Sequence, residues 1–421
     1  MAEHILQDLK AFLDTSPTSY HAAMQLEERF LGKDFIPLSE KDKWSLEKGK
    51  SYFVRKEGAL CAFTLPLKAP LKATILASHT DSPALKLKPS PQIQKENMSL
   101  FGVEVYGAPL LSSWLNRDLA IAGKIVMINN EGSLEEKTIF LDDAPLIIPQ
   151  LAIHLDREVN EKGLILNKQE HLSPLFSLNK DLDLEALIRR SYPFKTLLGF
   201  DLFLVPLEES RFIGADSEML ASYRIDNLLS AHAAAAALAK AKNEKSQTLQ
   251  IAFFSDHEEI GSKTKEGAAS PFLEEVLKRI LPLYSLSEED FFRLKAESLC
   301  VSIDMAHALH PNHTAKHDPQ HKPLLGKGIV LKYNADHKYA TTALSASKIM
   351  LLCKHLAIPY QQFTVKSDIP CGSTIGPVIA STLGIPTVDI GCPQLSMHSI
   401  REITACQDYI DMVALLTKAL H

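Results

Sequence analysis

LQIAFFSDHEE, residues 249–259, opens as an apolar, β-prone run and closes on Asp-His-Glu-Glu. A run this short, rich in isoleucine and phenylalanine, reads as a strand, Leu249–Phe254, whose carboxyl end carries titratable groups. Three other strand-like runs have the same design. Ala73–Ala77 leads to His79, Thr80 and Asp81; Cys300–Ile303 leads to Asp304; Thr387–Ile390 leads, after a short loop, to His398. Helical patterns lie between and after them, at Leu228–Lys242, with its Ala-rich run His232–Lys242, at Thr341–His355 and at Ile403–Leu420. Strands alternating with helices predict an α/β fold, a central sheet covered by helices on both faces.

Residues 2–13 and 20–30 read as two short amphipathic helices ahead of this pattern. The alternation is interrupted between about 90 and 217, where glycines and polar turns separate short strand signals at Gly102–Tyr106, Ala122–Asn129, Lys137–Leu141 and Asp201–Pro206. The reading is a mostly β domain, 90–217, inserted into an α/β domain formed by 1–89 and 218–421. A length of 421 residues agrees with two domains. The chain is 46% hydrophobic and 23% charged, as in an ordinary globular protein. A formal net charge of −6 gives no reason to expect nucleic acid or an acidic membrane as partner. The N-terminus lacks the basic start and apolar core of a signal peptide, and no apolar run is long enough to span a bilayer. Six scattered cysteines without a CxxC pair read as free thiols in a reducing cytoplasm.

In open α/β sheets, ligands bind outside the carboxyl ends of the strands. Strand ends bearing His79, the Glu258–Glu259 pair, Asp304 and His398 therefore outline a metal site. Asp226, in the word YRIDN before the Ala-rich helix, is a fifth donor. Imidazole and carboxylate suit zinc. Five ligands for two metals require one bridging carboxylate. Three carboxylates against two Zn²⁺ leave a positive site that can polarise a carbonyl or hold hydroxide. Asp81 is placed to orient the imidazole of His79. Within the Glu258–Glu259 pair, one side chain can coordinate while the other faces the attacking water as general base. Singly, each of these residues is more often an ordinary loop polar residue; together, each beside a strand, they favour a site. His310, His313, His317 and His321 crowd the word HPNHTAKHDPQH, but their spacing fits no structural zinc motif, so they read as a loop near the site.

The words ASHTDSPALKLKP, LAIHLDR, YRIDNL, DHEEIGS, IDMAHALHPNH, CGSTIGP and MHSIRE, in this order over most of the chain, resemble the aspartyl aminopeptidases and the vacuolar aminopeptidase I group of zinc metallopeptidases. The resemblance implies a dizinc exopeptidase-like domain with a central mixed sheet and an inserted β dimerisation domain. It implies two Zn²⁺ per subunit, with Mn²⁺ or Co²⁺ as alternatives: Asp226 bridging, His79 and Asp304 on one metal, Glu259 and His398 on the other, and Glu258 as general base and acid. It implies peptide substrates with acidic N-terminal residues, contacted by His307, Lys332 and Tyr339, with Lys332 as the cation that selects them. It implies homodimers assembled into a homododecamer, with His154 of the LAIHL word reaching the active site of a neighbouring chain. One segment departs from the family pattern. YGAPLLSSWLNRD has Ala108 and Pro109 where glycines are usual, and Asn116 where an Asp is usual.

Two other readings compete. A deacylase or carboxypeptidase could use a similar two-metal scaffold, and a binding protein could keep the fold without the chemistry. The second requires a broken ligand set, whereas all six positions are present; the first is disfavoured by LAIHL and CGSTIGP.

Overall fold

The computed structural model describes residues 2–241 and 247–421. The chain divides into two compact units, Met1–Asp81 with Ser210–Met397 and Glu402–His421, and Ser82–Glu209 with His398–Arg401. The changeovers fall earlier than the expected 90 and 217. Strand Ala84–Lys95 already pairs with Met98–Tyr106 of the second unit, and Arg211–Ile213 already pairs with Met219–Ser222 of the first.

The first unit contains a nine-stranded mixed sheet. At its centre Thr248–Ser255, Lys72–His79, Leu299–Ile303 and Thr387–Gly391 lie side by side and parallel, so their carboxyl ends share one edge. Alternation along each strand sends side chains to opposite faces. Ala252, Phe254, Val301, Ile303, Val388 and Ile390 enter one core with helices Ala2–Asp14, Ser19–Leu31, Ile225–Lys240 and Cys406–Ala419. Ile251, Phe253, Ile75, Ala77 and Cys300 enter the other, with helices Phe272–Ile280 and Ile375–Leu383. Burying a phenylalanine such as Phe254 contributes roughly 1.5–3 kcal/mol. The Ala-rich helix is buried over most of its surface, which small side chains permit. Its expected end at Lys242 lies outside the described residues.

A smaller five-stranded sheet in the same unit corrects one expectation. Residues 403–405 do not begin the last helix; they belong to strand Glu402–Ala405, antiparallel to Met219–Ser222, and the helix starts at Cys406. Leu220 faces Thr404 in that ladder, so pairing overrides the helical pattern.

The second unit is built on a six-stranded antiparallel sheet in the order Leu134–Leu146, Leu119–Ile128, Thr196–Pro206, Ala84–Lys95, Met98–Tyr106, Leu175–Ser177. Gly123, at φ +146, lies so close to the Asp201 carbonyl that a Cβ would overlap it. None of the six cysteines is in a disulfide. Among the described residues no helix is long and apolar enough to cross a membrane.

Candidate active site

The parallel centre of the sheet delivers its polar residues to one place. Ser255 is in register with His79, and Asp304 follows the strand next to Lys72–His79. His79, Asp226 and Asp304 are all buried, and a ligand atom from each lies within 4.8 Å of the others. His79 Nε2 is 3.6 Å from Asp226 Oδ1 and 3.7 Å from Asp304 Oδ1, too far for hydrogen bonds. Nitrogen and two carboxylate oxygens at this spacing are the donor set and the separation that a zinc ion between them requires. His79, Glu258 and Glu259 form a second grouping of the same size. The residues therefore fit the metal that the sequence implies.

Each donor is held by backbone chemistry around it. Asp81 Oδ1 is 3.3 Å from His79 Nδ1, and its carboxylate accepts the backbone N–H groups of Glu258 (3.0 Å) and Glu259 (3.1 Å). Asp81 thus positions three site residues. Glu258 and Glu259 share one short 3₁₀ turn, entered through His257 at φ 62 and left through Gly261 at φ 100. The turn places both carboxylates near His79, with a ligand atom of each within 4.8 Å of the other. Loss of water around Glu258 pushes its carboxyl well above the usual range; Asp304, Glu259 and Asp81 add to this against the pull of His79. Cations bound at the cluster would act in the opposite sense.

Asp226 has non-helical backbone at the entrance to the Ala-rich helix, and its peptide bond to Asn227 is cis. Asn227 donates to Ile303 O (2.8 Å), fixing the strand end that precedes Asp304. Two supports escaped the sequence reading. Glu402 accepts the backbone N–H of Asp226 at 2.9 Å, and buried Arg224 donates to the carbonyls of Ser16 and Thr80. Their signal was present: each is a charged residue inside a word already singled out, YRIDN or MHSIRE.

Lys332 is 2% exposed. Its ammonium donates to Asp304 O (2.9 Å), Asp304 Oδ2 (3.3 Å) and Met305 O (3.1 Å), and it lies 5.1 Å from the Tyr339 ring centroid. Three donors are thereby committed to the segment carrying a candidate metal ligand. Burial opposes ionisation of Asp304, but Lys332 and His79 hold its carboxyl well below the usual range. Lys332→Met is therefore expected to destabilise the protein by roughly 3–5 kcal/mol, the cost of breaking a buried ion pair. Thermal melting and metal analysis should show the loss, with hydrolysis of N-terminal Asp and Leu falling together. A changed Asp-to-Leu ratio at full metal content would instead make Lys332 the selector that the family resemblance implies.

Gly391, at the end of strand Thr387–Gly391, permits the close approach of the Asp304 backbone; a Cβ there would overlap the Asp304 carbonyl. Gly391→Ala should displace Asp304 and lower metal occupancy, measurable by titrating zinc into the metal-free protein. Unchanged affinity would show that the strand can shift without moving the carboxylate.

His307 is exposed and Tyr339 buried; both line a cavity of about 450 Å³ within the first unit. His310 and His317 lie on the same wall, and His321 pairs with Asp318 at 2.7 Å. Among the described residues, no grouping of metal-ligand type includes any of the four histidines of HPNHTAKHDPQH.

Two predicted residues belong to the second unit. His398 sits at φ 66 with Nδ1 3.1 Å from Ala108 O, while its own carbonyl accepts from Leu110 N–H at 2.8 Å. The segment that departs from the family pattern thus anchors this histidine. His154 is exposed in a turn at residues 153–155.

A family profile described as aminopeptidase I zinc metalloprotease (M18) matches residues 12–419. The chain is 39% identical to a probable M18 family aminopeptidase 2 of Ectopseudomonas mendocina, over 99% of this chain and 98% of that one. It is similar to Ape4 in a cryo-electron microscopy structure with Nbr1, at 35% identity and TM-score 0.92, covering 99% of this chain and 85% of that one. It is also similar to a Saccharomyces cerevisiae mApe1 dodecamer, at 26% identity and TM-score 0.86, covering 99% and 96%.

Proposed function

This chain belongs to the aminopeptidase I zinc metalloprotease (M18) family and is a metal-dependent aminopeptidase, and we propose that it uses two zinc ions to remove acidic N-terminal residues from peptides. The observation that carries the proposal is the buried His79–Asp226–Asp304 grouping beside the Glu258–Glu259 turn. In the proposed arrangement Asp226 would be shared by the two ions, His79 and Asp304 would hold one, and Glu259 and His398 the other; His398 enters on the strength of the MHSIRE word. Zinc held there would supply Lewis acidity toward the scissile carbonyl and lower the pKa of water.

The remaining work falls to side chains. Glu258 removes a proton from the attacking water as its oxygen adds to the carbonyl carbon. It then returns that proton to the departing amine nitrogen, so the C–N bond breaks to give a free amino acid and a shortened peptide. His307 and Tyr339 are proposed to contact the substrate, and His154 to stabilise the developing oxyanion from a neighbouring chain. That role is supported by its exposure between Ile153 and Leu155, which are 45% and 75% exposed. Exposed apolar side chains at a turn suit burial against a second copy. The reading therefore includes a homodimer, assembled into a homododecamer as in the mApe1 structure. Free cysteines suit a cytoplasmic enzyme.

The test is turnover of N-terminal Asp, Glu, Leu and Lys substrates after chelation, with Zn²⁺, Mn²⁺ or Co²⁺ restored singly. We expect activity only with metal, and Asp and Glu ahead of Leu and Lys. Leu ahead of Asp would overturn the acidic preference; cleavage of N-acyl substrates alone would overturn the aminopeptidase reading.

A further inference from the structure

Asp256 follows strand Thr248–Ser255 directly and is 1% exposed, yet among the described residues it belongs to no grouping of metal-ligand type. It holds the turn that carries Glu258 and Glu259. Its Oδ1 accepts the backbone N–H of His257 at 2.9 Å. The next two N–H groups, of Glu258 and Glu259, go to Asp81 Oδ1 and Oδ2. Three successive amides are thus each held by a buried carboxylate, and the two carboxylates stand just beyond the ends of two paired parallel strands.

His257 needs such a hold. At φ 62 it sits in the left-handed region, which a residue with a Cβ enters only at a cost. Its carbonyl accepts Ser262 N–H at 2.8 Å, and its Nδ1 lies 2.8 Å from Thr264 Oγ1. Asp256 is fixed in its own right from the far side. Its backbone N–H donates to Glu266 O (3.1 Å), and Ser19 Oγ, at the start of helix Ser19–Leu31, donates to its Oδ2 (2.9 Å). Gly58 packs so closely here that a Cβ would overlap Asp256 Oδ2 and Ser19 Oγ. Burial, with the charge of Asp81 added, pushes the Asp256 carboxyl up to about 6. The counter-charge is Arg224, 3% exposed, which donates to Thr80 O at 3.2 Å and whose charge acts on both Asp81 and Asp256. Burial lowers Arg224 to about 10, which leaves it charged at neutral pH.

We propose that Asp256 is a positioning residue for peptide hydrolysis: with Asp81 it clamps three consecutive amides of the Glu258–Glu259 turn, and Ser19 couples the clamp to the N-terminal helices. The proposal rests on the reading of Glu258 as general base. A base displaced by a fraction of an ångström loses its alignment with the attacking water, so a loosened turn lowers kcat and leaves KM nearly unchanged.

The experiment compares zinc-loaded wild type with Asp256→Ala, Asp256→Asn, Ser19→Ala and Glu258→Gln. It measures kcat and KM on Asp- and Leu-p-nitroanilide, zinc content, melting temperature and amide hydrogen exchange across residues 256–261. Asp256→Ala should lower kcat per zinc-loaded site by roughly tenfold to a hundredfold, with KM within about twofold. Exchange across the turn should quicken by about tenfold or more while the central strands stay protected. Asp256→Asn keeps an oxygen for the His257 N–H and should hold kcat within about threefold of wild type. Ser19→Ala should fall between Asn and Ala. A structural role alone would lower Tm and leave kcat per folded, zinc-loaded site intact. Wild-type kcat and exchange in Asp256→Ala, or an Asn variant as impaired as the Ala variant, would overturn the assignment. Should Asp256→Ala not fold, Ser19→Ala decides, since it lacks a single oxygen: quicker exchange and lower kcat support the clamp, and unchanged values overturn it. If Glu258→Gln turns over normally, the general-base reading fails. Amide exchange still judges the clamp then, because it does not depend on which side chain moves the proton.

Discussion

Replacing Glu258 by glutamine is expected to lower kcat by about 10²–10⁴-fold, the usual contribution of a positioned general acid–base. The amide preserves shape and the backbone hydrogen bond to Asp81, so the turn that also carries Glu259 should stay in place. What is lost is the ability to take a proton from water and return it to the amine. Glu259→Gln should fail differently. Its side chain is proposed to bind metal, so the variant should lose zinc at dilution or under mild chelation. Metal analysis and steady-state kinetics on the two proteins separate the roles. A metal-loaded, folded Glu258→Gln enzyme with near-normal turnover would remove Glu258 from the mechanism, and equal metal content in both variants would undo the division of the pair.

The parallel centre of the sheet was legible because its strands are buried on both faces and therefore read as short, unbroken apolar runs, as in Leu249–Phe254. His79, Glu258–Glu259 and Asp304 were legible for a related reason: a polar residue directly after such a run stands at the strand's carboxyl end. Legibility ended where function depends on partners distant in sequence. Nothing near Lys332 indicates that its ammonium closes on Asp304 and Met305, because that contact joins strand Ile329–Tyr333 to a loop 27 and 28 residues away. Glu402 meets the backbone of Asp226 across 176 positions of sequence, a contact that the residues around it do not announce. The grouping of His398–Arg401 with the inserted unit has the same origin, since Ser113 Oγ and Ala108 O, far upstream, hold that loop.

His154→Ala is expected to cost about 10²–10³-fold in kcat if its imidazole donates to the oxyanion. The distinguishing result comes from co-expressing this chain, inactive for lack of His154, with a chain made inactive by Glu258→Gln, each carrying a different tag. In a two-fold symmetric pair each chain would lend its His154 to the other. A mixed dimer then has one site with both substitutions and one with neither. Doubly tagged dimers should recover about half of wild-type activity, and a random mixture about a quarter. Action within one chain predicts no recovery, because each site would then lack either Glu258 or His154. A purely structural role for His154 would lower melting temperature and leave no site rescued. The environment favours exchange between chains. Leu151, Ile153 and Leu155 are 59%, 45% and 75% exposed around a turn that contains the short-range backbone bond from Leu155 N–H to Ala152 O. A histidine flanked by apolar side chains in solvent has the composition of a segment that is completed by a second copy.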